Sequence, residues 1–152
     1  MPVERDLLDY WQVQDEVALR PPASETTLCD FEYKYGVRLP SDLRKYFTQA
    51  DGFDQMSGYQ DNNGFNFWPL GKIEPVAEHS DGQFAFNGSE AFFLFADYLD
   101  FCWAYAIRMG SNGGPAGSVV IVGTETGEPL KIADSFSEFV ALYINDESQL
   151  YP

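Results

Sequence analysis

The sequence predicts an α+β fold, in which N-terminal helices precede a central, mainly antiparallel sheet and a C-terminal helix packs on that sheet. Apolar residues recur at helical spacing in the first third of the chain, whereas between Phe65 and Ala133 they alternate or form short unbroken runs. The helical period returns after Ser135. Helices and strands grouped in this way, without alternation along the chain, are typical of α+β folds and argue against a parallel doubly wound sheet.

Three helices are predicted in the first third of the chain. The first has four apolar residues on one face, at positions i, i+4, i+7 and i+8: Val3, Leu7, Tyr10 and Trp11. The second begins at Ser24, a suitable N-cap, and ends at Gly36, where a helix C-cap needs a left-handed residue. The third follows the turn at Leu39-Pro40, with Ser41 as its cap, and stops at Asp51-Gly52.

Five strands are predicted after these helices, over residues 65–70, 91–96, 102–107, 118–122 and 130–133. Pro69 confines the first strand to a sheet edge or a strand end. The second is apolar throughout, which predicts cover on both faces, and the third alternates large and small residues. Residues 97–100 are predicted to connect a hairpin. Ser135 and Glu138 form a capping box that begins the last helix.

The length of 152 residues predicts a single domain over residues 1–152. The formal net charge is -15, from 24 acidic residues against 9 Lys and Arg. This charge is uneven, since the part from Ile73 to Pro152 has 12 acidic and 2 basic residues. A field of this sign repels phosphate backbones and anionic lipid, so direct binding of nucleic acid or membranes is disfavoured. It would attract a basic protein partner.

The cysteines and the N-terminal residues bear on the cellular compartment. Cys29 and Cys102 are far apart in sequence and have apolar neighbours, so both are expected to be reduced thiols in the core. The chain is charged from Glu4 onward and lacks the apolar run of a signal peptide. No segment approaches the roughly 20 apolar residues of a membrane-spanning helix. These features predict a cytoplasmic location.

No set of residues in the sequence predicts catalysis, a cofactor or a metal. His79, the only histidine, is expected in a solvent-exposed loop, and the chain lacks the G-x-S-x-G motif of a serine nucleophile. One histidine and two distant cysteines do not supply a zinc site, and the acidic segment 51–61 does not follow the EF-hand pattern. The glycine-rich segment 110–117 lacks the lysine of a P-loop. A hydrolase that uses two carboxylates stays open, because 24 acidic residues nominate no particular pair.

The segment that begins at Phe31 carries the pattern F-E-x-x-Y-G-V-x-L-P-S-D-L-R-x-Y-F-x-x-x-D-G. This pattern resembles the hallmark of the SUKH superfamily, which includes a fungal cell-wall-assembly regulator and many bacterial immunity proteins. Later landmarks of that superfamily are similar to Trp68-Pro69-Leu70, Phe95-Ala96-Asp97 and the helix that begins at Ser135. The resemblance covers a core of about residues 24–143. The matched motif positions, which are expected to have structural roles, are Phe31, Glu32, Gly36, Leu39, Pro40, Leu43, Phe47, Gly52, Ser135, Phe136, Glu138 and Phe139.

The resemblance implies a non-enzymatic immunity protein that binds and neutralises a toxin, and the acidity of the chain favours a basic toxin of the nuclease type. A regulatory or scaffold domain that binds other proteins is the alternative, as the fungal relatives suggest. Contact with the toxin is expected from carboxylates and aromatic residues in the loop after Gly52 and in the turn at residues 97–100. The predicted contact residues are Asp51, Asp54, Tyr59, Asp61, Asp97, Tyr98 and Asp100.

Overall fold

The computed structural model describes residues 3–14, 17–56, 60–110 and 116–152. Within these residues the chain forms four α-helices and a six-stranded antiparallel sheet, which confirms the predicted α+β fold. The helices are α1 (Val3–Gln12), α2 (Glu25–Tyr35), α3 (Ser41–Phe47) and α4 (Phe136–Asn145). The strands are β1 (Phe65–Phe67), β2 (Glu74–Pro75), β3 (Phe92–Tyr98), β4 (Trp103–Arg108), β5 (Val119–Val122) and β6 (Leu130–Ala133).

The sheet has the order β1-β3-β4-β5-β6, and β2 also pairs with β3. Strand β3 therefore has neighbours on both edges, and its residues 93–97 are buried, as the apolar run predicts. In β4 the large side chains of Trp103, Tyr105 and Ile107 alternate with Ala104 and Ala106, as predicted. This alternation gives the sheet one bulky face and one flat face.

The bulky face of the sheet packs against the helices through aromatic side chains. The Tyr105 ring lies 5.2 Å from the Phe139 ring of α4. Trp11 of α1 lies 4.8 Å from the Phe53 ring and 4.9 Å from the Phe67 ring, measured between centroids. Its indole Nε1 donates a 2.8 Å hydrogen bond to the Tyr143 hydroxyl of α4. Buried aromatic rings in edge-to-face contact stabilise this layer, and they join the N-terminal and C-terminal helices to the same core.

The segment between β1 and β3 packs near the flat face of the sheet. Its Phe84 ring lies 5.2 Å from the Phe101 ring, which follows β3. A β-carbon at Gly123, the residue after β5, would lie 3.5 Å from the Phe84 ring. The small residues of β4 leave room for this second, thinner aromatic layer, and a β-carbon at Gly123 would meet it at ordinary contact distance.

Three sequence-based expectations about burial are wrong. His79 is half-buried rather than exposed, because its Nδ1 lies 2.5 Å from Glu74 Oε1 and its ring stacks on Phe101 at 5.1 Å. Cys29 and Cys102 have free thiols, but both are exposed rather than in the core. Cys29 lies on the outer side of α2, and Cys102 lies in the turn before β4. Their apolar sequence neighbours are buried or half-buried, so neighbours alone do not report burial.

Several element boundaries also differ from the predicted ones. Strand β1 ends at Phe67, because the chain turns at Pro69 into a 3₁₀ turn over Leu70–Lys72. Helix α3 ends at Phe47, before Asp51-Gly52, and Pro40 occupies its N-cap position without a side-chain hydrogen bond. Ser41 is accordingly the first helical residue. Within the ranges that the structure describes, no helix has both the length and the apolar character needed to cross a membrane.

Candidate functional site

The helical corner formed by α2, the turn after it and α3 has a structural role. Gly36 has a φ of 64°, which the left-handed C-cap of α2 requires. The Glu32 carboxylate accepts a 2.8 Å hydrogen bond from the Leu39 backbone N–H and lies 3.6 Å from the Arg44 guanidinium. The side chains of Leu39, Leu43 and Phe47 are buried in the core. Glu32 therefore fixes the conformation of the turn, and the buried apolar side chains anchor the corner to the core.

Gly52 lies at a close approach between two backbone segments. Its φ is 70°, and a β-carbon at this position would lie 2.5 Å from the Trp68 carbonyl carbon. The preceding Asp51 accepts a 2.7 Å hydrogen bond from the Leu70 backbone N–H and lies 3.6 Å from Arg20. Its side chain is 13% exposed. Burial raises the pKa of Asp51 against the effect of these two partners. This predicted contact residue thus mainly joins the corner to the segment after β1.

Asp61, another predicted contact residue, lies in the interior. Its carboxylate accepts hydrogen bonds from the Tyr143 hydroxyl and from the backbone N–H groups of Asn63 and Phe65, the latter two at 2.8 and 2.9 Å. Only 5% of the residue is exposed, and burial raises the pKa of its carboxyl group. A carboxylate surrounded by donors in this way satisfies a loop and a buried tyrosine. Its assignment to the contact surface is therefore corrected.

Asp97 requires the same correction. It is 4% exposed, and its Oδ2 accepts hydrogen bonds from Trp68 Nε1 at 2.6 Å and from Asn66 Nδ2 at 3.1 Å. Its Oδ1 accepts a 3.2 Å bond from the Phe101 backbone N–H. Asp97 faces the flat side of the sheet because it alternates with Tyr98, which faces the bulky side. It is the buried acceptor of this region, not a residue that a partner could reach.

The other predicted contact residues lie nearer the surface, where the structure describes them. Asp54 is half-buried and accepts a 2.9 Å hydrogen bond from the Met56 backbone N–H. Tyr98 is half-buried, and Asp100 is exposed. Tyr59 lies outside the described residues. Of the predicted set, Tyr98 and Asp100 are therefore the pair that the structure places together on one accessible feature.

That feature is the turn between β3 and β4 with the aromatic side chains beside it. We call it the hairpin-end surface, formed by Tyr98, Leu99, Asp100, Trp103 and Tyr151. The Tyr98 ring stacks on the Trp103 ring at 4.6 Å, and Tyr151 lies 5.3 Å from Tyr98 and 5.8 Å from Trp103. Leu99 is 48% exposed and Tyr151 is 36% exposed. The surface thus presents apolar and aromatic groups to solvent next to a carboxylate.

Three residues of the hairpin-end surface are not among the contact residues predicted from the sequence: Leu99, Trp103 and Tyr151. Trp103 faces Tyr98 across the β3–β4 pair, and the alternation of β4 could have placed it on the same face. Tyr151 comes from the C-terminal end of the chain, which is held by a 2.8 Å hydrogen bond from the Tyr105 hydroxyl to the Leu150 carbonyl. A hydrogen bond with Tyr98 raises the pKa of Tyr151 to about 12. No local sequence signal reports this long-range contact.

The loop at residues 60–64 contacts the hairpin-end surface. Gln60 Nε2 donates a 3.2 Å hydrogen bond to Asp100 Oδ1, and the Leu99 backbone N–H donates a 2.9 Å bond to the Gly64 carbonyl. Residues Leu99 to Phe101 have φ values of 47°, 53° and 70°. Three successive non-glycine residues in the left-handed region are uncommon and need support from their surroundings. The loop and the turn, both of which are predicted to contain contact residues, are therefore adjacent in space.

A cleft of about 730 Å³ opens beside the hairpin-end surface. We call it the hairpin-end cleft. Its lining residues are Cys102, Trp103, Gly123, Thr124, Glu125, Thr126, Glu128, Pro129, Leu130 and Pro152. The β5–β6 turn that forms one wall is held by a 2.8 Å hydrogen bond from Thr124 Oγ1 to the Glu128 carbonyl and by a 3.1 Å bond from the Gly127 N–H to the Thr124 carbonyl. The turn holds two exposed carboxylates, Glu125 and Glu128, at the cleft.

Comparison with known protein families finds a match to the SMI1 / KNR4 family (SUKH-1) over residues 22–142. The chain belongs to the SUKH-1 family. A search of curated proteins finds no match. Proteins of the SUKH-1 family are generally non-catalytic and act through protein–protein contacts. The matched range includes the whole corner and most of the hairpin-end surface, but Tyr151 lies beyond it.

The side chains of the hairpin-end surface are of the kinds found in protein interfaces. Among the described residues, no three His, Cys, Asp or Glu side chains are grouped as a metal site would require. His79 is paired with Glu74 and stacked on Phe101, which gives the ring a place in the thin aromatic layer. The hairpin-end surface offers stacked rings, an exposed leucine and carboxylates. Such groups form the anchors and the charged rim of protein interfaces.

Proposed function

We propose that this SUKH-1 protein is an immunity protein, which binds a basic toxin of the nuclease type and neutralises it without catalysis. The observation that carries the proposal is the stack of Tyr98, Trp103 and Tyr151, which is only partly buried and lies beside Asp100. Tyrosine and tryptophan are the residues that most often supply the energy of a protein interface. In this proposal residues 1–152 act as one domain in the cytoplasm.

The distribution of charge supports a basic partner. From Ile73 to Pro152 the sequence has 12 acidic residues and 2 basic ones, Arg108 and Lys131. The Lys131 ammonium is 2.6 Å from Asp134 Oδ1, so a neighbouring carboxylate offsets its charge. An enzyme that acts on nucleic acid presents a basic surface, which this half of the molecule would attract over several ångströms. Steering of this kind accelerates association and weakens as salt is added.

The mechanism we propose is stoichiometric blocking. The aromatic stack would contact apolar groups at the margin of the toxin's active surface, and the carboxylates would pair with the cations that otherwise bind phosphate. The toxin's substrate would then be excluded by the bound protein and by its negative charge. Neutralisation on this mechanism needs one molecule of the protein for each toxin molecule and no turnover.

The test is copurification from the native cell, followed by affinity measurements at several salt concentrations. We expect a basic toxin domain to bind, with an affinity that falls steeply between low and high salt. Tyr98→Ala should weaken binding about tenfold or more. The matched control is Tyr33→Ala, since Tyr33 is a 91% exposed tyrosine on α2, and this change should leave the affinity unaltered. Melting temperatures of both variants show whether the fold persists.

Three results would contradict the proposal. One is the absence of any basic toxin domain among the bound proteins. Another is an affinity that does not respond to salt. The third is a loss of affinity in Tyr33→Ala that Tyr98→Ala does not show, because contact would then lie on the helical corner.

A regulatory scaffold is the second candidate function, and the exposed cations of the corner favour it. Lys34, Arg38 and Lys45 are exposed on this part of an otherwise acidic molecule. A protein with patches of opposite charge can hold two partners at once, as an adaptor does. If Arg38→Gln releases the copurifying proteins and Tyr98→Ala does not, the scaffold function replaces the immunity function.

A further inference from the structure

The hairpin-end cleft has a lining that suits one kind of side chain. Trp103 forms part of its wall, with Leu130, Pro129 and Pro152. Leu130 is 44% exposed, which is unusual for a leucine in a strand. A hydrocarbon stem that enters the cleft would cover this exposed apolar surface.

The charges at the cleft determine which charge the end group of an entering side chain should have. Glu125 and Glu128 line the cleft, are exposed, and form no ion pair with any residue in the described ranges. None of the lining residues is basic, and the nearby Lys131 is paired with Asp134 at 2.6 Å. The cleft therefore favours a cation and disfavours phosphate, sulfate or a carboxylate.

The tryptophan adds a preference among cations. One hydrogen bond, 2.9 Å from Trp103 Nε1 to the Tyr105 hydroxyl, fixes the indole ring, and the stacked Tyr98 supports it. A fixed indole next to carboxylates suits guanidinium, which is planar, stacks on aromatic rings and donates paired hydrogen bonds to carboxylates. A lysine ammonium holds its hydration shell more tightly and gains less from such a wall.

We propose that the hairpin-end cleft binds an arginine side chain of a protein partner, with the guanidinium between Trp103 and the carboxylates of Glu125 and Glu128. The assignment of that arginine to a basic toxin rests on the proposed function. The binding of arginine by the cleft does not, because the cleft would accept an arginine from any partner. No residue that lines the cleft belongs to the set predicted from the sequence.

The first test uses a small probe, the amide of N-acetylarginine, with the amide of N-acetylcitrulline as its neutral isostere. The indole N–H signals of Trp11, Trp68 and Trp103 are followed by NMR during titration, and Trp103→Phe assigns the third signal. Since Trp11 and Trp68 are both 2% exposed, we expect arginine to shift the Trp103 signal alone. Citrulline should give no shift at the same concentration, and lysine amide a smaller one.

The second test uses the two exposed cysteines as a matched pair. Cys102 lines the cleft and Cys29 lies on α2, and both thiols are free. Single-cysteine proteins, made with Cys29→Ser or Cys102→Ser, are alkylated with N-ethylmaleimide. Alkylation of Cys102 should abolish the arginine-induced shift, whereas alkylation of Cys29 should leave it unchanged. The double variant Glu125→Gln with Glu128→Gln should weaken arginine binding about threefold or more while the melting temperature is retained.

The outcomes separate this inference from the proposed function. Equal shifts from arginine and citrulline, or a shift that survives alkylation of Cys102, overturn the inference. A double variant, Glu125→Gln with Glu128→Gln, that binds the arginine amide as tightly as the unaltered protein also overturns it, and leaves the immunity function standing. If arginine binds in the cleft as described and no basic toxin is found, the cleft keeps its assignment and the proposed function fails.

Discussion

The helical corner and the hairpin-end surface have opposite relations to the sequence motif. In the corner, the motif residues Leu39, Leu43 and Phe47 are buried, and Glu32 fixes the turn. At the hairpin end, Trp103 and Tyr151 are partly exposed and lie outside the motif. The residues that identify the SUKH-1 family are therefore those that build its fold. A partner of this particular chain would instead be selected by residues that the motif leaves free.

The same separation occurs within the hairpin itself. Asp97 and Asp100 are three positions apart, yet Asp97 is 4% exposed and accepts from Trp68, Asn66 and Phe101, while Asp100 is exposed and accepts from Gln60. Asp97 accepts the hydrogen bonds of donors that are buried away from water, so its role is structural. Asp100 keeps its contact with water, so the hairpin provides both a structural carboxylate and a candidate contact carboxylate.

The largest effect is expected for Gly52→Ala. The new β-carbon would lie 2.5 Å from the Trp68 backbone and the residue would keep a φ of 70°, so the unfolding free energy should fall by about 4 kcal/mol. Gly36→Ala is the control, because its φ of 64° is similar but no atom lies within 4 Å of the added carbon. That change should cost about 1 kcal/mol. Urea denaturation measures both.

Equal losses from the two glycine variants would contradict this explanation. They would mean that the left-handed conformation alone sets the requirement for glycine, and that the backbone near Trp68 moves away at little cost.

The next effect sharpens the contrast within the hairpin. Asp97→Ala removes the acceptor of three donors, two of them buried side chains, and should reduce the unfolding free energy by about 3 kcal/mol. Asp100→Asn, which tolerates the φ of 53° and keeps the Oδ1 acceptor for Gln60, should change stability by less than about 0.5 kcal/mol. The measurement is urea denaturation, and a similar loss in both variants would remove the distinction between the two carboxylates.

The contribution of the buried Asp61 to the unfolding free energy should depend on pH. Burial raises the pKa of its carboxyl group above the ordinary 3.8, so over the interval above that value the folded state holds a proton that the unfolded chain has released. The contribution of Asp61 to stability is therefore greatest below this interval and falls as the pH rises through it. The pKa of Glu147 is also raised, mainly by burial and secondly by the charge of Asp61. Glu147 therefore changes stability with pH in the same direction as Asp61.

The unfolding free energy of Asp61→Asn should therefore lie furthest below that of the unaltered protein below about pH 4. The difference between the two free energies should shrink as the pH rises. Urea denaturation at a series of pH values measures this difference. Ser135→Ala, which introduces no titrating group, should give a difference that does not vary with pH. A difference for Asp61→Asn that grows with pH would show that its hydrogen-bond donors outweigh burial.

Local signals in the sequence predicted the fold well. Ser24 and Gly36 bound α2 as predicted, since a cap depends on one residue and its nearest backbone. The unbroken apolar run of β3 and the alternation of β4 were sufficient for those strands. Strand β2 was not predicted, because two residues that include Pro75 carry no period.

The candidate site was predicted less well, for a physical reason. The burial of Asp61 and Asp97 depends on donors brought by Tyr143 and Trp68, which are distant in sequence. Carboxylates in loops look alike until those partners are known. Tyr151 likewise joins the hairpin end only because Tyr105 holds the end of the chain. Tyr98 and Asp100 were predicted because both lie at the hairpin, Tyr98 as the last residue of β3 and Asp100 in the turn that follows.

The smallest effect concerns Ser135, a motif residue far from the corner in sequence. Its hydroxyl accepts a 3.0 Å hydrogen bond from the Glu138 backbone N–H as the N-cap of α4, so Ser135→Ala should cost about 1 kcal/mol. Ser135→Asp keeps an acceptor at the same place and should restore most of that stability. Neither change should alter binding at the hairpin-end surface, which affinity measurements with the same partner would check. A loss of affinity in Ser135→Ala without a loss of stability would place a contact within the motif, and the division between building residues and contact residues would not hold.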